Sequence, residues 1–184
     1  TTAMTRLARM SQSKGRRVGL ITNDQADELV DTRTLRAQGF AVEQVAGACF
    51  CCHFNAMTDA ARALVAEHRP QVILAEPVGS CADLVATVIR PLMTLYPGEF
   101  ELAPYAVLLK PEHARLLLDG DQAAVASDAS YIFRKQLEEA DLIAINKADA
   151  LSAEEIERLT EYAKSVNPDA PVLAISAKTG QGFD

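Results

Sequence analysis

Short apolar segments that alternate with amphipathic stretches constrain this chain of 184 residues more than any other feature. The segments are rich in β-branched residues and are bounded by polar or turn residues. They cover residues 17–22, 71–75, 105–109, 142–145 and 171–175, and a weaker candidate covers residues 41–46. Continuous apolar runs of this length are typical of strands that are buried on both faces of a parallel sheet.

Helical periodicity fills the intervals between these segments. It is visible at residues 1–13, 56–68, 83–95 and 127–140. A further helix is predicted to begin after Ser152, because Ser152 and Glu155 have the spacing of a capping box. Strands that alternate with helices of about 10–15 residues are typical of β-α-β units. The pattern therefore predicts a three-layer α/β fold with a mostly parallel sheet.

The composition supports a folded domain and excludes some classes of partner. Hydrophobic residues make up 49% of the chain, which is enough to bury a core. The net charge of -7 argues against a nucleic-acid partner, because binding to phosphates needs a cationic surface. No apolar run reaches the roughly 18 residues of a membrane-spanning helix, and the first residues do not resemble a signal peptide. We therefore expect a single domain over residues 1–184, with neither nucleic acid nor membrane as a partner.

Three of the four cysteines are crowded into one short segment, at Cys49, Cys51 and Cys52. A secreted domain stabilised by disulfides would spread its cysteines, because adjacent cysteines cannot close useful loops. The cluster therefore indicates a reducing, cytoplasmic compartment and thiol or metal chemistry. The fourth cysteine, Cys81, follows another predicted strand.

Three thiolates at this spacing suit a soft metal ion such as Zn²⁺, Co²⁺ or Cu⁺. Cys49 and Cys51 share one side of an extended backbone, and Cys52 joins them only if the chain turns there. A tetrahedral zinc site needs a fourth ligand, for which His53, water, a second subunit and Cys81 are open alternatives. The alternatives to a metal site are a set of small buried residues and a vicinal disulfide or reactive thiol at Cys51 and Cys52.

Residues that follow the apolar segments are candidate site residues, because ligands of open α/β sheets gather at the carboxyl ends of strands. Two such sequences have the residue types that recognise guanine, Asn146-Lys147-Ala148-Asp149 and Ser176-Ala177-Lys178. The Asp149 carboxylate is suited to accept from both guanine donors, N1–H and N2–H₂. Asn146 and the backbone N–H of Ala177 suit guanine O6. The aliphatic stems of Lys147 and Lys178 suit the faces of the purine.

A third sequence, Glu76-Pro77-Val78-Gly79, suits Mg²⁺ and the terminal phosphate of a nucleotide. A carboxylate at a strand end holds Mg²⁺ directly or through water. A glycine three residues later lets the backbone approach a γ-phosphate, since glycine has no side chain. Each strand-end motif taken alone is also explained by a polar turn, and only the combination is specific.

Taken in order, these motifs resemble those of the CobW/HypB/UreG family of metal-handling GTPases, most closely its CobW branch. The sequences that carry the resemblance are Thr22-Asn23-Asp24 in the switch I region, Cys49-Phe50-Cys51-Cys52, Glu76-Pro77-Val78-Gly79, Asn146-Lys147-Ala148-Asp149 and Ser176-Ala177-Lys178. The resemblance implies the fold of a P-loop nucleoside triphosphatase and slow GTP hydrolysis. It also implies that hydrolysis is coupled to metal transfer to a client protein or to cofactor assembly, often in a nucleotide-gated homodimer.

The resemblance also assigns roles to residues at the start of the chain. The phosphate loop of such proteins, G-x-x-x-x-G-K-[ST], does not occur in this sequence, whereas Thr1 and Thr2 are placed as such a loop would continue. We therefore expect a strand and a phosphate loop to precede Thr1, and a further domain to follow the chain. Thr1 would hold Mg²⁺ with Asp24 and Glu76, and Thr2 would lie beside the α-phosphate. Asp24 or Glu76 would position the attacking water.

Other functions stay open at this level. A nucleotide-independent zinc-binding interaction module would use the same fold and the same three cysteines. A thiol redox protein would use Cys51 and Cys52. If the chain is a GTPase, an accessory role for a nickel enzyme is the alternative to delivery of zinc or cobalt.

Overall fold

In the computed structural model, parallel strands and helices alternate along the chain, as the sequence predicts. The structure describes residues 2–23, 30–47, 49–118 and 127–183. Its strands are β1 (Val18–Thr22), β2 (Ala41–Gln44), β3 (Val72–Glu76), β4 (Ala106–Leu109), β5 (Leu142–Ile145) and β6 (Val172–Ala174). Its α-helices are α1 (Thr2–Ser13), α2 (Val30–Ala37), α3 (Phe54–His68), α4 (Arg90–Leu95), α5 (Pro111–Leu118), α6 (Ser127–Glu139) and α7 (Ala153–Val166). All six predicted strands are confirmed, whereas the sequence pattern does not predict α2 and α5.

The first of two compact units, Thr1–Cys81, contains a sheet with the strand order β2-β1-β3. The pairs are parallel, and Thr22 of β1 lies opposite Gln44 of β2 and Glu76 of β3. One face of this sheet packs on α1 and α2 through a core that contains Met4, Ala8, Val18, Leu20, Leu35, Phe40 and Val42. On the other face, Gly19 lies against Leu64 of α3. The unit therefore has the three layers that the sequence predicts.

The second unit, Ala82–Asp184, contains a parallel sheet with the strand order β4-β5-β6. One face packs on α5, α6 and α7 through a core that contains Val107, Leu109, Ala114, Leu137, Ile143, Ile145, Leu159 and Ala163. On the other face, Leu108 is 42% exposed and Leu173 is 45% exposed. Burial on both faces, which the apolar runs predict, therefore holds for β1 and β5 but not for β4 and β6. The reason is that the helices α5–α7 cover one face of this sheet.

Two predicted helices show how local sequence sets the ends of elements. The capping box of α7 is confirmed, because the Glu155 N–H donates to Ser152 Oγ at 3.2 Å and the Ser152 N–H donates to Glu155 Oε2 at 2.9 Å. The helix predicted at residues 83–95 begins as a π-helical turn, Val85–Ile89, and continues as α4. Pro91 lies at the start of α4 and has no N–H, so a regular hydrogen-bond pattern cannot pass through it. Within the described ranges, no helix has both the length and the apolar character needed to cross a membrane.

Gly182, which follows β6, is a position where alanine should destabilise the protein. Its φ is 75°, and a Cβ there would collide with the backbone carbonyl oxygen of Ala174. Gly98 is the matched control, since its φ is 82° but no atom lies within 4 Å of its Cβ position. Both alanine variants should lose about 1–2 kcal/mol through the left-handed backbone. Gly182→Ala should lose about 1–3 kcal/mol more through the collision.

Chemical denaturation measures both losses in the free energy of unfolding. Equal losses in the free energy of unfolding for Gly182→Ala and Gly98→Ala would show that Gly182 does not lie against the Ala174 carbonyl group of β6.

Candidate functional site

Three of the predicted site segments lie at one edge of the first sheet. Because Thr22, Gln44 and Glu76 end neighbouring parallel strands in register, the loops that follow them leave the same edge. These loops carry the switch I sequence, the cysteine cluster and the segment 76–79. Two predicted site residues, Thr1 and Asp24, lie outside the described residues. Thr2 is exposed at the start of α1.

The thiols of Cys49, Cys51 and Cys52 form a compact group, with all three Sγ atoms within 4.8 Å of one another. The Sγ atom of Cys49 lies 2.7 Å from that of Cys51 and 3.3 Å from that of Cys52. The chain turns here, because the backbone N–H groups of Cys52 and His53 both donate to the carbonyl oxygen of Cys49 at 3.0 Å. Phe50 is 3% exposed and anchors the turn in the interior. The turn that a three-thiol site requires is therefore present.

The thiols of this group differ in acidity because they share hydrogen bonds. Hydrogen bonding from the Cys51 thiol is the main cause that lowers the pKa of Cys49 from 9.0 to about 7. Burial, reinforced by hydrogen bonding to Cys49, raises the pKa of Cys51 to about 12. In the metal-free protein the Cys49 thiolate therefore forms at a lower pH than the Cys51 thiolate. A metal ion must displace the remaining protons, so its binding weakens as the pH falls.

Cys81 places a fourth thiol beside this group, although its Sγ is not among the described ligand atoms that lie within 4.8 Å of one another. It is 5% exposed, and its thiol is within hydrogen-bonding reach of the thiols of Cys49 and Cys51. Burial and the negative charge of Cys49 raise the pKa of Cys81 to about 11. His53 is exposed, and its ring nitrogens do not belong to the described group of ligand atoms within 4.8 Å.

The two guanine-type sequences lie at the carboxyl edge of the second sheet. The strands β5 and β6 are parallel neighbours, so the loops that begin at Asn146 and Ser176 leave the same edge. Asn146 Oδ1 accepts hydrogen bonds from the backbone N–H of Lys147 at 2.8 Å and from that of Ala177 at 3.1 Å. Asn146 therefore ties the two loops together. This differs from the expected use of the Ala177 N–H at guanine O6, since that N–H donates to Asn146 here.

Lys147 is held by a residue that the sequence analysis misses. Its backbone is left-handed, with a φ of 62°, and its Nζ lies 2.6 Å from Glu112 Oε1 in the first turn of α5. Hydrogen bonding from Lys147 lowers the pKa of Glu112, which favours the ionised pair. The only sequence signal for this contact is an acidic residue shortly after a predicted strand.

The other residues of these loops divide into exposed and buried groups. Asp149 is exposed in a 3₁₀ turn, Ala148–Ala150, and Lys178 is exposed in the following loop. Ser176 is fully buried, and its Oγ accepts a hydrogen bond from the Thr179 N–H at 3.1 Å. The side chains of Asp149 and Lys178 are therefore accessible to solvent, whereas the serine shapes its loop.

The chain matches a family model described as CobW/HypB/UreG, nucleotide-binding domain, over residues 1–174. It is also 52% identical, over 48 residues, to a probable hydrogenase maturation factor HypB from Methanocaldococcus jannaschii. That stretch is 24% of this chain and 21% of the relative, so the chain matches about a fifth of the relative's length.

Two solved structures resemble the fold of the chain. HypB from Helicobacter pylori, in complex with nickel, has a TM-score of 0.60 and 18% sequence identity, and the match covers 95% of this chain and 73% of that chain. The hydrogenase maturation factor HypB from Archaeoglobus fulgidus has a TM-score of 0.59 and 20% identity, with 98% and 78% covered. The likeness shows the α/β fold with parallel sheets of these P-loop GTPases.

The Cys49 thiol should react first with iodoacetamide in the reduced, metal-free protein. Because the thiolate is the nucleophile, the rate at Cys49 should rise with a midpoint near pH 7, where its pKa lies, while Cys51 stays slow. Cys51→Ala removes the main hydrogen-bond donor and should return this midpoint toward 9.0. Mass spectrometry of samples quenched at each pH measures the rates.

His53→Ala is the control, because it changes a neighbouring side chain without removing a thiol. Its midpoint at Cys49 should match that of the unaltered protein. An unchanged midpoint in Cys51→Ala would contradict the assignment of the hydrogen bond.

Proposed function

Because the chain belongs to the CobW/HypB/UreG family of P-loop GTPases, we propose that it is the nucleotide-binding part of a GTP-hydrolysing metallochaperone. Its nucleotide state would control the binding and delivery of a transition metal, or the assembly of a metalloenzyme cofactor, for a client protein. The observation that carries the proposal is the group of three thiols within 4.8 Å on a loop at the switch edge of the sheet. The four free thiols also fit a reducing, cytoplasmic location.

The loops of the second unit support the selection of guanine. The exposed Asp149 carboxylate would accept hydrogen bonds from guanine N1–H and N2–H₂. Asn146 holds the loop of Lys147 against that of Ala177, and Glu112 fixes the ammonium group of Lys147. These contacts prepare a surface for the base before the nucleotide binds, which lowers the entropic cost of binding.

The triphosphate would bind through residues at the other candidate edge. Glu76 ends β3 and is half-buried there, a position that suits a carboxylate directed to Mg²⁺. Thr1 and Asp24 would complete the ligands, and bound Mg²⁺ would offset negative charge on the β- and γ-phosphates. Gly79 is exposed, and its backbone would approach the γ-phosphate. Asp24 or Glu76 would orient the attacking water.

The identity of the metal is argued from the donor atoms. Thiolate ligands favour Zn²⁺, for which Co²⁺ is the usual tetrahedral substitute. Ni²⁺ prefers nitrogen and oxygen ligands in a square-planar arrangement. The described cluster offers sulfur atoms only. We therefore favour zinc or cobalt as the cargo. Nickel-enzyme maturation is the second candidate function, because the structurally similar protein from Helicobacter pylori is in complex with nickel.

Replacement of Asp149 tests guanine recognition. Asp149→Asn in the full-length protein should weaken the binding of GTP about 10- to 100-fold, since a hydrogen bond to a charged group contributes about 1.5–3 kcal/mol. The same variant should gain affinity for xanthosine triphosphate, whose ring carries a carbonyl in place of the amino group. Fluorescence titration with labelled nucleotides measures both affinities.

Asp169→Asn is the matched control, because Asp169 is an exposed carboxylate between α7 and β6, away from the motif. It should leave GTP affinity unchanged. Equal binding of GTP and ATP would contradict guanine selection, and a protein that binds neither would favour the nucleotide-independent zinc module instead.

Metal titration tests whether metal affinity is coupled to the nucleotide state. Full-length protein should bind Zn²⁺ or Co²⁺ with an affinity that differs between the GTP–Mg²⁺ and GDP–Mg²⁺ states, and with proton release that follows from the protonated thiols. Cys49→Ser and Cys51→Ser should each abolish tight binding, whereas Ser80→Ala on the neighbouring loop should not. If the affinity is the same in both nucleotide states, or if Ni²⁺ binds more tightly than Zn²⁺, the proposed cargo switch is wrong.

A further inference from the structure

The environment of Cys81 is not explained by packing alone. Its side chain is 5% exposed, and it lies on the loop after β3, whereas the other three cysteines lie on the loop after β2. Two separate loops therefore bring a fourth thiol beside the group of three. The sulfur of Cys81 interacts with Cys49 and Cys51, the two members of the cluster that are less exposed than Cys52.

We propose that Cys81 is the fourth ligand of the metal, so that the loops 49–52 and 77–81 together form a four-thiolate site for Zn²⁺ or Co²⁺. The inference rests on the metal binding proposed above and adds the ligand that completes it. On binding, each of the four thiols gives up its proton to solvent, unless it has already lost it, and forms one bond to the metal ion. The metal changes neither charge nor oxidation state.

The distances between the sulfur atoms fit such a site after a small adjustment. With metal–sulfur bonds of about 2.3 Å, the sulfur atoms of a tetrahedral site lie about 3.8 Å apart. The Sγ atoms of Cys51 and Cys52 are already 4.0 Å apart, and that of Cys49 lies 3.3 Å from that of Cys52. The Sγ atoms of Cys49 and Cys51, at 2.7 Å, must separate by about 1 Å. Cys81, which lies outside the described group within 4.8 Å, must move closer to at least one of the three sulfur atoms.

The other candidates for the fourth ligand fit less well. His53 and Cys81 both lie outside the described group of ligand atoms within 4.8 Å, but His53 is exposed at the N-cap of α3, whereas the buried Cys81 interacts with Cys49 and Cys51. Water or a second copy of the chain would approach the group from its exposed side, at Cys52, whereas the Cys81 thiol is already held in the interior beside Cys49 and Cys51. A thiol in place also costs less entropy to bind than a ligand from solution.

A ligand at Cys81 would couple the metal to the loop that carries Gly79. The backbone N–H of Cys81 donates to the carbonyl oxygen of Val78 at 2.9 Å, which closes a turn around Gly79. A nucleotide that draws the Gly79 backbone toward its γ-phosphate would therefore displace the sulfur of Cys81. Linkage requires the reverse effect of equal size, so that bound metal would change the affinity for the nucleotide.

X-ray absorption spectroscopy on the zinc-loaded, full-length protein tests the ligand set without any variant. We expect four sulfur neighbours at about 2.3 Å. Three sulfur neighbours with one nitrogen or oxygen neighbour would overturn the inference, although the proposed metal function would stand. If the protein does not bind zinc at all, the metal function itself fails.

Cys81→Ser identifies the source of the fourth sulfur. Zinc affinity, measured by competition with a chelating dye, should fall at least about 10-fold. The Co²⁺–thiolate charge-transfer band should lose roughly a quarter of its intensity, as one of four thiolates is removed. Ser80→Ala, an exposed neighbour on the same loop, is the matched control and should change neither value.

Thermal unfolding without metal shows whether Cys81→Ser folds. If the metal-free variant unfolds like the unaltered protein but gains less stability from zinc, the inference is supported, because a ligand that binds the native state stabilises it by mass action. If four sulfur neighbours are found and Cys81→Ser binds zinc normally, the fourth sulfur comes from a second copy and the inference is wrong.

Discussion

Parallel pairing of short strands is the constraint on which both candidate sites depend. In a parallel sheet every strand ends at the same edge, so segments that are far apart in sequence begin their loops side by side. The register of Thr22, Gln44 and Glu76 brings the switch I sequence, the cysteine loop and the loop of Cys81 to one edge. The pairing of β5 with β6 does the same for Asn146 and Ser176. A shift of one residue in either register would reverse the side chains and separate these groups.

The strands and the chemistry of the motifs are readable from the sequence, because both depend on local order. Apolar runs specify the six strands, and the thiols of Cys49, Cys51 and Cys52 are close because they are close in the chain. The contact of Cys81 with this group depends on the pairing of β1 with β2 and β3, which no local pattern specifies. The ion pair of Glu112 with Lys147 is not predictable from the sequence either, because the pattern does not reveal α5, a helix of only 8 residues.

Asn146 illustrates a limit of assigning roles from a motif. An asparagine side chain suits guanine O6, and the motif predicts that Asn146 and the Ala177 N–H both contact that oxygen. In the structure these two groups bind each other at 3.1 Å, and Asn146 Oδ1 also receives the Lys147 N–H. A side-chain oxygen that accepts two backbone donors stabilises the shape of both loops. The oxygen of the Asn146 side chain therefore stabilises the protein's own loops.

In the proposed mechanism, the shared edge of the first unit also sets how large a nucleotide-driven motion would have to be. Metal–ligand distances in well-formed sites lie within about 0.2 Å of their standard values. Gly79 and Cys81 belong to one turn, closed by the 2.9 Å bond from the Cys81 N–H to the Val78 carbonyl, so they cannot move independently. A displacement of the turn by a fraction of the length of that hydrogen bond is enough to lengthen one metal–sulfur bond beyond this tolerance. The proposed change in metal affinity would therefore require no large opening of the fold, because a small shift of the loop would be enough to strain a metal–sulfur bond.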